Sequence, residues 1–241
     1  MISCSKLKEW AYLITAILIM RCFILGSYII PTGSMFPTFE IGDCNFTWKW
    51  WYGWSRYSVP FGYKYDYFSG RIMESMPKAG DIAIFRGRFD PEQNYVKRVI
   101  GLPGDMITMK DSVVHVNGVP CPLELVGDAT FTDDKGSEYK GVEYTETLPN
   151  GVQHTIFKIT PLEGNEGQAG PYLVPEGHLF MMGDNRDMSL DSRFLGSTVG
   201  YVKNDRLMGK VFMTYFSFNR RKPLIMMPFN IHWGRFPTFR Q

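Results

Sequence analysis

Residues 10–30 read WAYLITAILIMRCFILGSYII, an apolar run interrupted by one formal charge, Arg21. As a single helix rising about 1.5 Å per residue it would be about 31 Å long, close to one hydrocarbon core. Arg21 would then lie near the middle, at a cost of about 2.5–3.5 kcal/mol. The uninterrupted part, residues 10–20, makes only about 16 Å of helix and is too short to span alone. The compromise is a transmembrane helix that starts at Leu7, with Lys6 and Lys8 snorkelling, and ends near Arg21. Pro31 should stop any helix that remains. Two readings compete with an uncleaved anchor. A cleavable signal peptide shares the basic start and short apolar run, although no A-x-A-like site follows. A buried core helix fits the length of residues 10–20. Lys6 and Lys8 precede the run and the next basic residue after it is Lys49. The positive-inside rule therefore puts the N-terminus in the cytoplasm and everything after Pro31 outside.

Beyond Pro31 the signals are those of strands. Residues 81–85, 95–100, 105–109, 112–116, 152–159, 179–182 and 210–216 are short and rich in β-branched or aromatic side chains. Asn117 and Gly118, beside SVVHV, predict a type I′ hairpin turn. The 24 glycines and 15 prolines fall mostly between these runs. Residues 128–140 read as a polar loop. The expected body is mostly β and antiparallel. Lys plus Arg is 26 against 24 for Asp plus Glu, a net +2, which argues against nucleic acid as a partner. With 44% hydrophobic and 21% charged residues the chain is not disordered. Cys4, Cys22, Cys44 and Cys121 are too scattered for a disulfide scaffold or a CxxC zinc site.

Aromatic residues are 15% of the chain and unevenly spread. Residues 48–57 (WKWWYGWSRY) read either as a hydrophobic loop folded onto the body or as an interfacial belt. The last 22 residues, 220–241, resemble them in make-up. Arg220, Arg221, Lys222, Arg235 and Arg240 occur there with Phe229, Trp233, Phe236 and Phe239, and no acid. Two such segments suggest a domain resting on membrane lipid.

Familiar catalytic patterns are missing. There is no HExxH, no G-x-S-x-G elbow and no GxxxxGK[ST], and His115, His154, His178 and His232 lack metal spacing. Three segments say more. Residues 31–38 (PTGSMFPT) put Ser34 directly after the apolar run. Residues 95–105 (YVKRVIGLPGD) put Lys97 in mid-strand. Residues 183–196 (GDNRDMSLDSRFLG) gather Asp184, Arg186, Asp187, Ser189, Asp191 and Arg193. Singly, each also fits a turn residue, an edge-strand charge or a surface loop.

Together and in this order they resemble the bacterial type I signal peptidase (leader peptidase) family, membrane-anchored Ser/Lys proteases. The resemblance implies that Ser34 is the acyl-enzyme nucleophile and Lys97 its general base. A free lysine has a pKa of ~10.4, so about one amine in 2,500 would be unprotonated at pH 7, and burial must lower it. By resemblance, Ser189 hydrogen-bonds and orients the lysine amine, and Thr32 completes an oxyanion hole with the Ser34 N–H. Asp184, Arg186, Asp191 and Arg193 form an ion-paired scaffold. Ile30, Met35, Phe39, Tyr95 and Val96 line pockets for small side chains before the cut.

The implied organisation is residues 1–30 as cytoplasmic N-terminus and anchor, 31–110 with 175–241 as catalytic β-domain, and 111–174 as an inserted smaller β-domain. The implied activity is cleavage of N-terminal signal peptides from exported preproteins at the outer face of the cytoplasmic membrane, with no metal or cofactor. Met188 departs from the pattern, where the family usually has Asn. A bridge between Cys44 and Cys121 is open in an oxidising compartment. Three rivals stand beside this reading: a self-cleaving repressor-type Ser/Lys protease, a non-enzymatic tethered β-module, and a dedicated processing protease for pilus or conjugation subunits. For the first, the bonds between Ala79 and Gly80 and between Ala169 and Gly170 are weak candidate self-cleavage sites.

Overall fold

The computed structural model describes residues 4–59, 61–159, 167–219, 231–235 and 237–239. The apolar run is not one helix. An α-helix covers Cys4–Ile19, a π-helical turn covers Met20–Ile24, and Leu25–Ile29 is already a strand. Helical backbone gives way at Leu25, with φ −119° and ψ 117°, well before Pro31. LGSYI has a glycine and a β-branched end, and its pairing with Asp43–Trp48 supplies the hydrogen bonds a longer helix would have made. Sixteen residues of α-helix are about 24 Å long. Among the described residues no helix is long and apolar enough to cross a membrane, so the expected transmembrane helix is not met. The buried-core alternative fails as well, because every side chain from Lys6 to Met20 is exposed.

The body is antiparallel β-structure, as expected. Its main sheet runs Leu25–Ile29, Asp43–Trp48, Leu207–Ser217, Ile82–Arg86, Asn94–Gly101, His178–Met182 and Val202–Lys203, with Thr238–Phe239 paired beside Leu207–Ser217. Strand alternation feeds two cores from one strand. Ile82 and Ile84 pack with Ile30, Met35 and Phe39, while Ala83 and Phe85 pack with Val99, Leu179 and Met181. Sheet residues buried on both sides explain the nearly continuous apolar run IAIF.

Two smaller sheets follow from the middle of the chain. Met106–Lys110, Val113–Val116 and Val119–Pro120 pair in series, with Ala169–Leu173 on the outer side of the first. Asn117 and Gly118 have φ of 54° and 80°, as a type I′ turn requires. Leu123–Thr132, Glu138–Thr147 and Gln153–Ile159 form a long three-stranded ribbon. The loop expected over 128–140 is therefore corrected. Polar threonines flank the buried Phe131 in strand alternation, and only the tip around Asp133 and Gly136 is a turn.

Cys44 and Cys121 are both buried free thiols, so the bridge considered between them is not formed. Residues 48–57 divide between the two readings given above. Tyr52 and Tyr57 are buried, whereas Trp50 and Trp51 are exposed. The stretch also closes off the end of the helix: Trp54 Nε1 donates to the Phe23 carbonyl and Lys49 Nζ to that of Cys22. The basic tail between 220 and 230, with Phe229, lies outside the described residues, as do Phe236 and Arg240.

Candidate active site

Ser34 sits in a turn that follows the first strand, and its neighbours fix that turn from several directions. Met35 and Phe39 are wholly buried and pin it to the core beneath. Asn185 donates its backbone N–H to the Ser34 carbonyl at 3.2 Å and its side-chain amide to the Gly33 carbonyl at 3.1 Å. Thr38 Oγ1 donates to Asp184 at 2.5 Å. Gly33 is required by contact: a Cβ there would lie 2.0 Å from Cζ of Phe131, whose ring comes from the ribbon.

Lys97 reaches Ser34 from Asn94–Gly101, where it pairs across the sheet with Ala83. Its Nζ donates to Ser34 Oγ at 2.5 Å, and the residue is 3% exposed. Burial pulls the lysine pKa down from 10.5 to about 8, against the pull of Asp191, with Arg193 assisting and Asp184 opposing.

The 183–193 loop carries the remaining charges. Arg193 Nε and Nη2 each donate to Asp191 at 2.8 Å, and the Gly183 N–H donates to the same carboxylate at 3.0 Å. Burial alone would raise the Asp191 carboxyl, but Arg193 and Lys97 outweigh it and hold it below the usual range. The expected scaffold is rewired in two places. Asp184 is gripped by Arg98, whose Nε and Nη2 donate at 2.9 and 2.7 Å. Arg186 binds Glu146 of the ribbon with both terminal nitrogens. Arg98, Asn185, Glu146 and His154, whose Nε2 is 3.1 Å from Glu146, were missed by sequence reasoning. For Arg98 a signal existed, a second unexplained cation inside an apolar strand.

The other expected site residues scatter. Ser189 is buried but its Oγ has no hydrogen-bond partner among the described residues, so the expected bond to the Lys97 amine is not made. Its hydroxyl instead lies against Gly183, where a Cβ would stand 2.2 Å away. Thr32 is exposed just before the turn that bears Ser34. A cleft of about 390 Å3 opens between Ile29, Ile30 and Pro31 on one side and Asn94, Tyr95 and Val96 on the other. Ile30, Tyr95 and Val96 thus line it, whereas Met35 and Phe39 belong to the core and not to its walls. Among the described residues no three His, Cys, Asp or Glu side chains cluster to hold a metal.

Chemically, a buried lysine with a lowered pKa against a serine hydroxyl is an arrangement that can supply a base and a nucleophile. Residues 5–216 match the family model described as signal peptidase, peptidase S26. A signal peptidase I of Rickettsia canadensis (strain McKiel) is 36% identical over 215 residues, covering 87% of this chain and 78% of that protein. One from Rickettsia akari (strain Hartford) is 37% identical over 218 residues, covering 87% and 79%. A crystal structure of a signal peptidase I from Enterococcus faecalis V583 aligns at 28% identity over 56% of this chain and 97% of that one. Its TM-score is 0.32, a superposition too loose to carry a structural argument. On the extent of the family match and of its relatives, this chain belongs to the signal peptidases of peptidase family S26.

Proposed function

We propose that the chain is a serine endopeptidase that removes signal peptides from exported preproteins by means of a Ser34/Lys97 dyad. The observation that carries this is the 2.5 Å contact between Nζ of the buried Lys97 and Oγ of the half-buried Ser34. In the free-amine state Lys97 takes the serine proton as Oγ attacks the scissile carbonyl, then returns it to the leaving amine. Water, activated by the same amine, releases the acyl-enzyme. Burial makes this workable near neutral pH, because a pKa of about 8 leaves about one enzyme in ten with a free amine at pH 7. The Ser34 N–H and the Thr32 hydroxyl are the donors proposed for the oxyanion. Ile30, Tyr95 and Val96 narrow the cleft beside the dyad, which supports a preference for small residues before the cut.

The reaction belongs at the outer face of the cytoplasmic membrane. The exposed apolar side chains of the Cys4–Ile19 helix, with Lys6 and Lys8 at its start, support a seat in lipid with the N-terminus on the cytoplasmic side. Enzyme and signal peptide then share one bilayer, which raises their effective concentration.

The test is cleavage of a preprotein bearing an Ala-x-Ala site by detergent-solubilised wild type, Ser34→Ala and Lys97→Ala. Wild type should cleave and both variants should be inert. Equal cleavage by Ser34→Ala overturns the mechanism, and no cleavage of any preprotein by wild type favours a binding module.

A further inference from the structure

The ribbon and the catalytic loop are joined as if they were one strand pair. The Phe157 N–H donates to the Asp184 carbonyl at 2.9 Å and the Arg186 N–H to the Phe157 carbonyl at 3.0 Å. The Ile159 N–H adds a bond to Asp187 Oδ2 at 2.7 Å. These bonds bracket Asn185, the residue that holds the Gly33 and Ser34 carbonyls. Next to it, Arg186 is 2% exposed and closes a two-pronged pair with Glu146, which is 0% exposed. A pair of this kind fixes both the position and the plane of the guanidinium. Buried ion pairs add little stability over a well-packed apolar replacement, so their use lies elsewhere, and geometry is the use this location offers.

We propose that Glu146, supplied by the ribbon, is a positioning residue of the Ser34/Lys97 pair, acting through Arg186 and Asn185. Arg186 tethers the loop, the loop places Asn185, and Asn185 sets the height of the nucleophile turn against Lys97. The inference rests on the proposed dyad but adds a residue from outside the three sequence blocks that define it.

Charge gives the proposal a signature that a purely structural role lacks. Lys97 is faced by Ser34 Oγ, Asp191, Arg193 and Asp184. Glu146 is faced by Arg186 and His154, with Cys121 and Lys158 also within its field. Arg186 in turn interacts with Asp184 and Asp191, the two carboxylates that favour the lysine ammonium. Neutralising Glu146 leaves Arg186 free to counter them, so the ammonium loses support and the acid limb of the pH profile moves to lower pH.

The experiment measures preprotein cleavage by the full chain in detergent between pH 6 and 10. Glu146→Gln should lower kcat about 100-fold with KM nearly unchanged, as a displacement of about 1 Å at a reacting group does. Its acid limb should move down by roughly half a pH unit. Glu146→Asp keeps the charge and should leave the limb at its wild-type position. Wild-type kcat in Glu146→Gln, or a limb that stays put while kcat and KM deteriorate together, overturns the proposal. Should Glu146→Gln fail to fold, Glu146→Leu combined with Arg186→Met removes both charges and should fold. A folded double variant with wild-type kcat overturns the proposal, and one that is slow upholds it. Ser34→Ala run alongside separates the two levels: if it cleaves, the dyad itself is wrong, and if it is inert while Glu146→Gln is normal, only this inference falls.

Discussion

A methyl group on Gly183 would stand 2.3 Å from the carbonyl oxygen of Ser34. The 183–193 loop thus meets the turn that bears Ser34 at the Gly183 backbone, where the Ser189 side chain also crowds in. Backbone cannot swing aside as a flexible side chain can, so Gly183→Ala should push Ser34 off Lys97. The expected result is a loss of about 100-fold in cleavage rate from a protein that still melts cooperatively. Wild-type activity would show that the turn adjusts freely.

Lys97 bears a cost that should be visible in stability. Its folded pKa is about 8 against 10.5 when unfolded. Below pH 8 the folded protein must hold a buried ammonium, and the full cost, about 3 kcal/mol from that difference, applies. Between pH 8 and 10.5 the unfolded chain binds the proton and the folded one does not, so stability rises with pH. Lys97→Met should therefore be inactive yet more stable at pH 7. That gain should shrink to nothing by about pH 10.5, as followed by thermal melts across pH. A less stable Lys97→Met at pH 7 would contradict this.

On the proposed mechanism the same titration sets the rate. Cleavage should rise about tenfold per pH unit below 8 and level off above it, because only the free amine can accept the serine proton. A rate that is flat from pH 6 to 9 would remove Lys97 as the base.

Gly33 and Phe131 make a reciprocal pair. With a Cβ 2.0 Å from the ring, Gly33→Ala should displace either the ring or the turn and cut activity at least tenfold. Phe131→Ala opens that space, so the double variant should recover part of the loss. A double-mutant cycle with no coupling would disprove the contact.

Arg98 and Asp184 are 3% and 1% exposed. Removing one partner leaves the other charge buried, so Arg98→Met should cost about 3–5 kcal/mol in chemical denaturation. A cost below about 1 kcal/mol would mean that solvent reaches the pair.

Much of the body was legible because strands announce themselves locally. Strands were expected over 81–85 and 95–100, and the structure has them at Ile82–Arg86 and Asn94–Gly101, where β-branched residues run between glycines and prolines. The first strand was not legible, since Leu25–Ile29 continues an apolar run without any change in composition and only its partner makes it extended. Nor were the first two strands of the ribbon, Leu123–Thr132 and Glu138–Thr147, whose polar threonines and glutamates look like loop until paired, although the third had been expected over 152–159. At the site, Ser34, Lys97 and the 183–193 loop stood out as separate blocks. Their order, through the family resemblance, joined them; the bonds of Glu146, Arg98 and Asn185 were not legible, because their partners lie 40 or more residues away in sequence. Local pattern carries no trace of such pairings.

The strand Leu207–Ser217 lies between Asp43–Trp48, which follows the turn that bears Ser34, and Ile82–Arg86, which leads to the strand of Lys97. Neither side touches the other within the sheet until this late segment slots in. During synthesis, then, serine and lysine both leave the ribosome long before the piece that brings their strands into register. A nascent chain of this design holds Ser34 and Lys97 on two unjoined parts of one sheet until Leu207–Ser217 has emerged.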